Sequence, residues 1–267
     1  MKKERIDILL VEKNLVKSRE RAKRIVMEGI VFVDGQRIDK PGEKVAIDKE
    51  ILIKGNPIPY VSRGGLKLEK AIDSFDIDLK NKIAIDVGAS TGGFTDCMLK
   101  NGVKKVYAID VGYGQIDWNL RQDDRVVVKE RTNIRYVTKD DIGELADFVS
   151  IDVSFISLKL VLPVVKELIN NDGEIICLVK PQFEAGKEKV GKKGIIRDSK
   201  IHEEVLNSIY EFCEEIDLQV KDATYSPVKG TTGNIEYLFY LTKGLDKTHD
   251  KTKEKLKEIV EKSHIML

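Results

Sequence analysis

The chain has 267 residues, of which 42% are hydrophobic and 34% charged, a balance typical of a globular protein long enough for two domains. The 46 Lys and Arg residues against 45 Asp and Glu give a formal net charge of +1, which excludes a uniformly basic nucleic-acid coat but permits local basic patches. With no apolar run near the roughly 18 residues of a spanning helix, no recognisable signal peptide, and three scattered cysteines and three histidines, we expect a cytoplasmic protein without a membrane partner or a metal site.

The first 60 residues predict a small α+β unit. Residues 5–16 indicate a short amphipathic helix, and Ser18 and Gly29 are suited to begin and end a second helix over residues 19–28. Apolar residues 30–33, the dipeptide Asp34-Gly35 and residues 36–38 then predict a hairpin with a tight turn. Further short strands are expected within residues 43–54, and two prolines within residues 55–59 indicate a linker.

A row of cations surrounds the start of the second predicted helix. A helix surface of this kind can follow the phosphates of a nucleic-acid strand, although a run of charge is also typical of a merely solvated face. The candidate RNA-binding residues are Lys17, Arg19, Arg21, Lys23 and Arg24.

This segment resembles the S4 RNA-binding module, which is named after a protein of the small ribosomal subunit. The shared features are a Ser-Arg pair near the start of the second helix (Ser18, Arg19), a glycine after it, a Val-x-Val strand and an Asp-Gly turn. The resemblance covers residues 1–55 and implies binding to structured RNA.

Beyond the linker, apolar runs alternate with helical segments. The predicted strands are Ile83–Val87, Lys105–Ile109, Val126–Lys129, 148–153 and 174–179. This alternation predicts an α/β domain with a parallel sheet and helices on both faces. Residues 219–224 and 234–241 indicate an antiparallel hairpin at one edge, and residues 246–267 indicate a charged tail helix.

A Gly-rich turn follows the first of these strands, as in nucleotide-binding α/β domains. The turn lacks the middle glycine of the dinucleotide motif. Asp86, the acid before the turn, suits a cationic ligand better than a pyrophosphate. S-adenosylmethionine meets that requirement, and an acid ending the next strand is placed to accept hydrogen bonds from its ribose hydroxyls. The predicted cofactor residues are Asp86, Gly88, Ser90, Gly92, Phe94 and Asp110.

The residues at the strand ends narrow the choice of chemical group that could accept the methyl. No cysteine follows the fourth or fifth predicted strand, which disfavours ring-carbon methylation. The Asp-Pro-Pro-aromatic pattern of exocyclic-amine methylation is also absent, because the fourth strand leads into Asp152-Val-Ser-Phe155. A hydroxyl acceptor remains, and Lys180 after the fifth strand can activate it as a base or as a neighbouring cation.

Four residues resemble the Lys-Asp-Lys-Glu set of ribose 2′-O-methyltransferases of the FtsJ type. They are Lys67, Asp152, Lys180 and Glu236, the last within the late antiparallel strand. An S4-like module in front of such a domain resembles the TlyA family, often labelled haemolysins, whose members are rRNA 2′-O-methyltransferases. The turn departs from the usual FtsJ pattern and leaves Phe94 where that family has tryptophan.

The resemblance implies cytidine 2′-O-methylation of ribosomal RNA, with rRNA or ribosomal subunits as partners. The expected fold is a Rossmann-like class I methyltransferase sheet with an antiparallel edge hairpin, preceded by a small α+β RNA-binding domain. The expected divisions are residues 1–55, a linker over 56–63, the methyltransferase domain over 64–245 and the tail helix over 246–267. A non-catalytic ribosome assembly factor stays open as an alternative, as does a haemolysin, which the absence of a spanning helix disfavours.

Overall fold

The computed structural model describes residues 2–16, 18–27, 29–54, 58–191, 193–230, 232–244 and 252–267. The chain divides into two compact units, residues 1–62 and 63–267. The linker predicted over residues 56–63 includes this division, and its residues 56 and 57 lie outside the described part of the chain.

The first unit is a small α+β structure. Its described helices are α1 (Ile6–Glu12) and α2 (Arg19–Met27). Its described strands are β1 (Lys3–Arg5), β2 (Val31–Val33), β3 (Gln36–Arg37), β4 (Lys44–Ala46) and β5 (Ile51–Ile53). Strand β2 lies between β3 and β5 in one sheet, and β1 pairs with β4 in another.

The hairpin predicted after α2 is confirmed. Strands β2 and β3 are antiparallel, with Val33 opposite Gln36. Asp34 and Gly35 between them have φ angles of 47° and 79°, and two positive φ angles are what the primed two-residue turn requires.

The first helix is shorter than the predicted residues 5–16. Residues 3–5 instead form β1, which pairs antiparallel with β4. That pairing joins segments distant in sequence, so no local pattern indicates it. The start of α2 agrees with the prediction, because the Ser18 hydroxyl accepts a hydrogen bond from the Arg21 amide (3.2 Å).

One buried carboxylate links the two helices of this unit. Asp7 of α1 is fully buried, and its carboxylate accepts hydrogen bonds from Arg5 Nε (2.9 Å) and Arg19 Nε (3.0 Å). The hydrogen bond from Arg5 is the largest influence, and it lowers the pKa of Asp7 to about 2. Asp7 therefore stabilises the junction of β1, α1 and α2.

The second unit is the α/β domain. Its strands are β6 (Ile83–Val87), β7 (Lys105–Ile109), β8 (Val126–Lys129), β9 (Ala146–Ile151), β10 (Ile169–Val179), β11 (Leu218–Tyr225) and β12 (Tyr237–Lys243). Its described helices are α3 (Gly64–Phe75), α4 (Gly93–Lys100), α5 (Trp118–Arg121), α6 (Lys139–Ile142), α7 (Leu162–Leu168), α8 (Pro181–Glu184), α9 (Ser199–Glu215) and α10 (Thr252–Met266).

These seven strands form one sheet in the order β11-β12-β10-β9-β6-β7-β8. The five strands from β6 to β10 are parallel to their neighbours, whereas β12 runs antiparallel to both β10 and β11. The predicted fold class is confirmed, including the antiparallel pair at one edge. All carboxyl ends of the parallel strands therefore meet at one edge of the sheet, where α/β folds place their sites.

The tail helix is part of the packed domain. Leu256 and Val260 of α10 are buried in the core cluster that also contains Leu206, Tyr210 and Val220 of α9 and β11. The helix begins at Thr252, and the predicted residues 246–251 before it lie outside the described part of the chain.

Replacing Asp7 by Asn is expected to weaken the first unit by about 1–3 kcal/mol, because two arginines lose a charged hydrogen-bond partner. A carboxyl with a lowered pKa stabilises the fold above its unfolded pKa, and this stabilisation disappears as pH falls from about 4 towards 2. Hydrogen exchange of α1 and α2 amides at pH 7 measures the loss. Glu12→Gln, an exposed carboxylate of the same helix, is the control; equal exchange in both variants would contradict the assignment.

Candidate active site

The Gly-rich turn leads from β6 into α4. Gly88 and Gly92 have φ angles of 84° and 91°, which glycine adopts without strain. A Cβ at Gly88 would collide with the backbone carbonyl of Asp152, and one at Gly92 would collide with Leu120. The close approach of the Asp152 backbone therefore requires glycine at position 88, and the positive φ angles favour glycine at both positions, whatever ligand approaches the turn.

A cavity of about 710 Å³ lies beside this turn, at the carboxyl ends of β6, β7 and β9. Three predicted cofactor residues, Gly88, Ser90 and Asp110, line it, and its volume falls within the range of roughly 300–1,000 Å³ typical of small-molecule pockets. The Asp110 carboxylate accepts hydrogen bonds from the amides of Ser90 (2.7 Å) and Gly112 (2.6 Å). These bonds fix its orientation and leave lone pairs for a ligand, since a carboxylate offers about four.

The other three predicted cofactor residues, Asp86, Gly92 and Phe94, are not part of this lining. Asp86 is fully buried, and its carboxyl accepts hydrogen bonds from Thr95 Oγ1 (2.6 Å) and Ser150 Oγ (3.1 Å). Both Asp86 carboxyl oxygens are thus hydrogen-bonded within the domain. Phe94 lies in α4 and is 3% exposed, so it packs inside the domain in this arrangement.

Four side chains from distant parts of the sequence meet beside the cavity. Lys67 Nζ lies 2.6 Å from Glu236 Oε2 and 3.6 Å from Asp152 Oδ2. Lys180 Nζ lies 2.5 Å from Asp152 Oδ1. The structure thus brings together all four residues of the predicted set, with Asp152 bridging the two ammonium groups. Because Asp152 also lines the cavity, the cluster and the cavity are adjacent.

Burial makes these ion pairs electrostatically strong. The side chains of Lys67, Lys180 and Glu236 are 11%, 9% and 3% exposed. Burial alone would lower the pKa of Lys67, but the carboxylates of Asp152 and Glu236 outweigh it and raise that pKa. Burial would likewise raise the pKa of Asp152, yet Lys67 and Lys180 lower it. The cluster therefore holds Asp152 ionised and Lys67 protonated at neutral pH.

The secondary structure explains how the four side chains converge. Asp152 and Lys180 directly follow the parallel strands β9 and β10, so both lie at the carboxyl edge. Lys67 reaches them from the first turn of α3. Glu236 differs from the prediction, because β12 begins only at Tyr237. Its backbone still lies alongside β11, since its carbonyl accepts a hydrogen bond from the Ser226 amide (2.9 Å).

Sequence reasoning missed three residues near Lys180 or the cavity. Ser154 Oγ accepts a hydrogen bond from Lys180 Nζ (3.0 Å). Phe155 has a φ angle of 64° and is 92% exposed at the cavity, a strained conformation of the kind found at functional sites. The rings of Phe155 and Phe183 lie 5.0 Å apart. The available sequence signal was the aromatic residue three positions after the strand-end acid Asp152.

The candidate RNA-binding residues of the first unit differ in their surroundings. Arg19 is exposed yet pairs with Asp7, while Arg21, Lys23 and Arg24 on α2 are half-buried. Lys17 lies outside the described residues. Within the described ranges, no helix combines the length and the apolar character needed to cross a membrane. The same residues contain no group of three or more His, Cys, Asp or Glu that could hold a metal ion.

Comparisons with known proteins agree with this arrangement. Residues 60–243 match the model of the FtsJ-like methyltransferase family, and residues 4–51 match the S4 domain. The Bacillus subtilis protein YqxC, provisionally named an rRNA methyltransferase, is 55% identical over 241 residues, which are 90% of this chain and 86% of that protein.

Two further comparisons cover most of the chain. The 16S/23S rRNA (cytidine-2′-O)-methyltransferase TlyA of Mycobacterium tuberculosis H37Rv is 39% identical over 244 residues, 91% of each protein. A solved Streptococcus thermophilus structure with a provisional haemolysin label has a TM-score of 0.80 and 48% identity, covering 100% of this chain and 97% of that one.

Replacing Asp86 by Asn is expected to change how stability depends on pH. Burial raises the pKa of Asp86 from its ordinary 3.8 to about 7. Between those values the folded protein keeps a proton that the unfolded chain releases, so the free energy of unfolding falls as pH rises. Between pH 5 and 8, wild type should lose about 3 kcal/mol more than Asp86→Asn, since each pH unit up to the folded pKa is worth about 1.4 kcal/mol.

Urea unfolding at the two pH values measures this difference. Asp73→Asn, which removes an exposed carboxylate of α3, should follow the wild-type dependence. If Asp86→Asn also loses stability in parallel with wild type, Asp86 does not hold a proton in the folded state.

Proposed function

Because the chain belongs to the TlyA family of FtsJ-like methyltransferases, we propose that it methylates the ribose 2′-hydroxyl of cytidine in ribosomal RNA. S-adenosylmethionine is the proposed methyl donor, and the cytoplasm is the proposed location. The names of the Bacillus and Mycobacterium relatives support the rRNA substrate, and the latter supports cytidine. The observation that carries the proposal is the buried cluster of two lysines and two carboxylates beside the cavity.

The residues around the cavity fit the proposed cofactor. The oriented carboxylate of Asp110 suits the two hydroxyls of a ribose, which can both donate to it. Gly88, Ser90 and residues 132–135 also line the cavity, and they would hold the rest of the molecule. When bound, S-adenosylmethionine supplies a methyl group on a sulfonium, which an oxygen nucleophile can accept directly.

Lys180 is assigned to the 2′-oxygen. A ribose hydroxyl is a weak nucleophile at neutral pH, so it needs a base or a cation that stabilises the developing negative charge. The ammonium of Lys180 is held by Asp152 and Ser154, which use two of its three N–H donors. The third N–H donor would face the 2′-oxygen and stabilise its developing negative charge, while the hydroxyl proton is released to solvent as the oxygen takes the methyl group, so no covalent intermediate is required.

The remaining members of the cluster position Lys180 and the ribose. Asp152 bridges both lysines, so it fixes the distance between them. Glu236 holds Lys67 in a site where an unpaired ammonium would be costly. Much of the rate acceleration is then expected from holding the hydroxyl in line with the donor.

Replacing Lys180 by Ala is expected to reduce methyl transfer about 100-fold or more, because the 2′-oxygen loses its activating group. Labelled methyl transfer to purified small and large ribosomal subunits, with mapping of the modified 2′-position, measures this. Lys67→Ala should also lose activity, whereas Lys70→Ala, an exposed lysine of the same helix, should keep it. Near wild-type transfer by Lys180→Ala would refute its assignment; RNA binding by a wild type that transfers no methyl would favour an assembly factor.

The cations of α2 are assigned to RNA phosphates. The logarithm of the affinity falls as the logarithm of the salt concentration rises, and each phosphate contact that is lost makes this negative slope shallower by about one. The double variant Arg21→Ala/Lys23→Ala should therefore make the slope shallower by about two in filter-binding titrations with ribosomal RNA. Lys257→Ala/Lys262→Ala on α10 removes the same charge and should not change it. Identical slopes for both pairs would remove α2 from the RNA contact.

A further inference from the structure

A chain of buried polar side chains lies next to the active site and has no part in the chemistry described so far. It joins α9, β12 and α10 through His202, Tyr237 and Ser263, each of them fully buried. Tyr237 Oη lies 2.7 Å from His202 Nδ1 and 3.0 Å from Ser263 Oγ. His202 Nε2 lies 3.2 Å from the carbonyl oxygen of Ile196.

The hydrogen-bond directions in this chain follow from the backbone carbonyls that accept at its two ends. The Ile196 carbonyl can only accept, so His202 Nε2 carries the hydrogen and Nδ1 accepts from the Tyr237 hydroxyl. Ser263 Oγ donates its one hydrogen to the Val260 carbonyl (2.7 Å), so it faces Tyr237 as an acceptor, and the Tyr237 hydroxyl hydrogen is shared between His202 Nδ1 and Ser263 Oγ. Burial lowers the pKa of His202 to about 4, which agrees with the neutral ring that this pattern needs. His264 Nε2 also faces Nδ1, at 3.3 Å.

A second anchor reaches the backbone of the same residue, Ile196. The Ile196 amide donates to Asn234 Oδ1 (3.0 Å), and Asn234 Nδ2 donates to the carbonyl of Gly194 (2.8 Å). Asn234 is 1% exposed. The segment around Ile196 is therefore tied both to α9 through His202 and to the stretch of chain before β12 through Asn234.

Glu236 lies in the sequence between one residue of each anchor. Asn234 precedes it by two residues, and Tyr237 follows it directly. Adjacent side chains of an extended segment point to opposite faces, and the contacts agree: Tyr237 meets α9 and α10, whereas Glu236 meets Lys67 of α3. A Cβ at Gly230 would collide with the Glu236 carboxylate, so that carboxylate lies directly against the Gly230 backbone.

We propose that His202, Tyr237 and Asn234 are positioning residues that hold the Glu236 carboxylate on Lys67, and that Ser263 makes the C-terminal helix part of this support. The proposal rests on the proposed function for its kinetic consequences. A catalytic group displaced by about 1 Å can lose roughly 100-fold in rate. The supporting bonds therefore matter for turnover more than for cofactor binding, because Asp152 lines the cavity whereas Lys67 and Glu236 do not.

Strand β12 offers a matched pair of variants. Tyr237→Phe removes the hydroxyl that joins His202 to Ser263. Tyr240→Phe removes the hydroxyl of a tyrosine in the same strand, whose partner Glu174 is not part of the cluster. We expect Tyr237→Phe to lower kcat about tenfold or more, with KM for S-adenosylmethionine changed less than about twofold, at a temperature where both variants are folded. Tyr240→Phe should keep kcat within about twofold of wild type.

Ser263 tests whether the C-terminal helix takes part. Ser263→Ala should lower kcat in the same direction as Tyr237→Phe, while Ser263→Thr, which keeps the hydroxyl, should restore it. A purely structural role of this position would give the two variants kcat values that follow their melting temperatures.

A readout independent of activity separates this proposal from the proposed function. The Ser226 amide donates to the Glu236 carbonyl, so its hydrogen exchange reports how firmly Glu236 is held. Exchange at Ser226 should be about tenfold faster in Tyr237→Phe than in wild type and unchanged in Tyr240→Phe. Equal kcat and equal Ser226 exchange in the two tyrosine variants would overturn the positioning role. If wild type transfers no methyl group, the proposed function fails, and the exchange comparison alone still decides this inference.

Discussion

Two ammonium groups and two carboxylates share one buried site, and this charge balance constrains the rest of the α/β domain. A buried charge without its partner costs several kcal/mol, so none of Lys67, Asp152, Lys180 and Glu236 is tolerated there alone. Asp152 satisfies both lysines at once, which makes it the member whose placement decides the others. The fold must therefore bring a helix, two strand ends and the entry to β12 to the same point.

The parallel sheet meets this requirement through close backbone contacts. The Asp152 amide donates to the Val87 carbonyl (2.9 Å), and the Asp152 carbonyl lies where a side chain at position 88 would be. The Gly-rich turn is thus needed to place Asp152 as well as to admit a ligand. Asp152 thus belongs both to the cavity at the carboxyl edge and to the charge cluster, so the proposed cofactor and acceptor sites lie next to each other.

Much of this arrangement is visible in the sequence because its signals are local. Strands β6, β7 and β8 have the bounds that their continuous apolar runs predict, and Asp152 and Lys180 were identifiable as polar residues ending such runs. What the sequence does not contain is pairing between distant segments. Three features depend on contacts made only in the folded protein. They are the pairing of β1 with β4, the enclosure of Asp86 by Thr95 and Ser150, and the chain from Ser263 to Ile196.

The most direct test of the catalytic arrangement is a crystal structure of the chain with S-adenosylhomocysteine and a cytidine-containing oligoribonucleotide. We expect one ribose 2′-oxygen to lie within hydrogen-bond distance of Lys180 Nζ and to face the cofactor sulfur across the space of a methyl group, with Asp152 still joining the two lysines. A ribose bound elsewhere, or a Lys180 ammonium that leaves Asp152 and turns to solvent, would contradict this expectation.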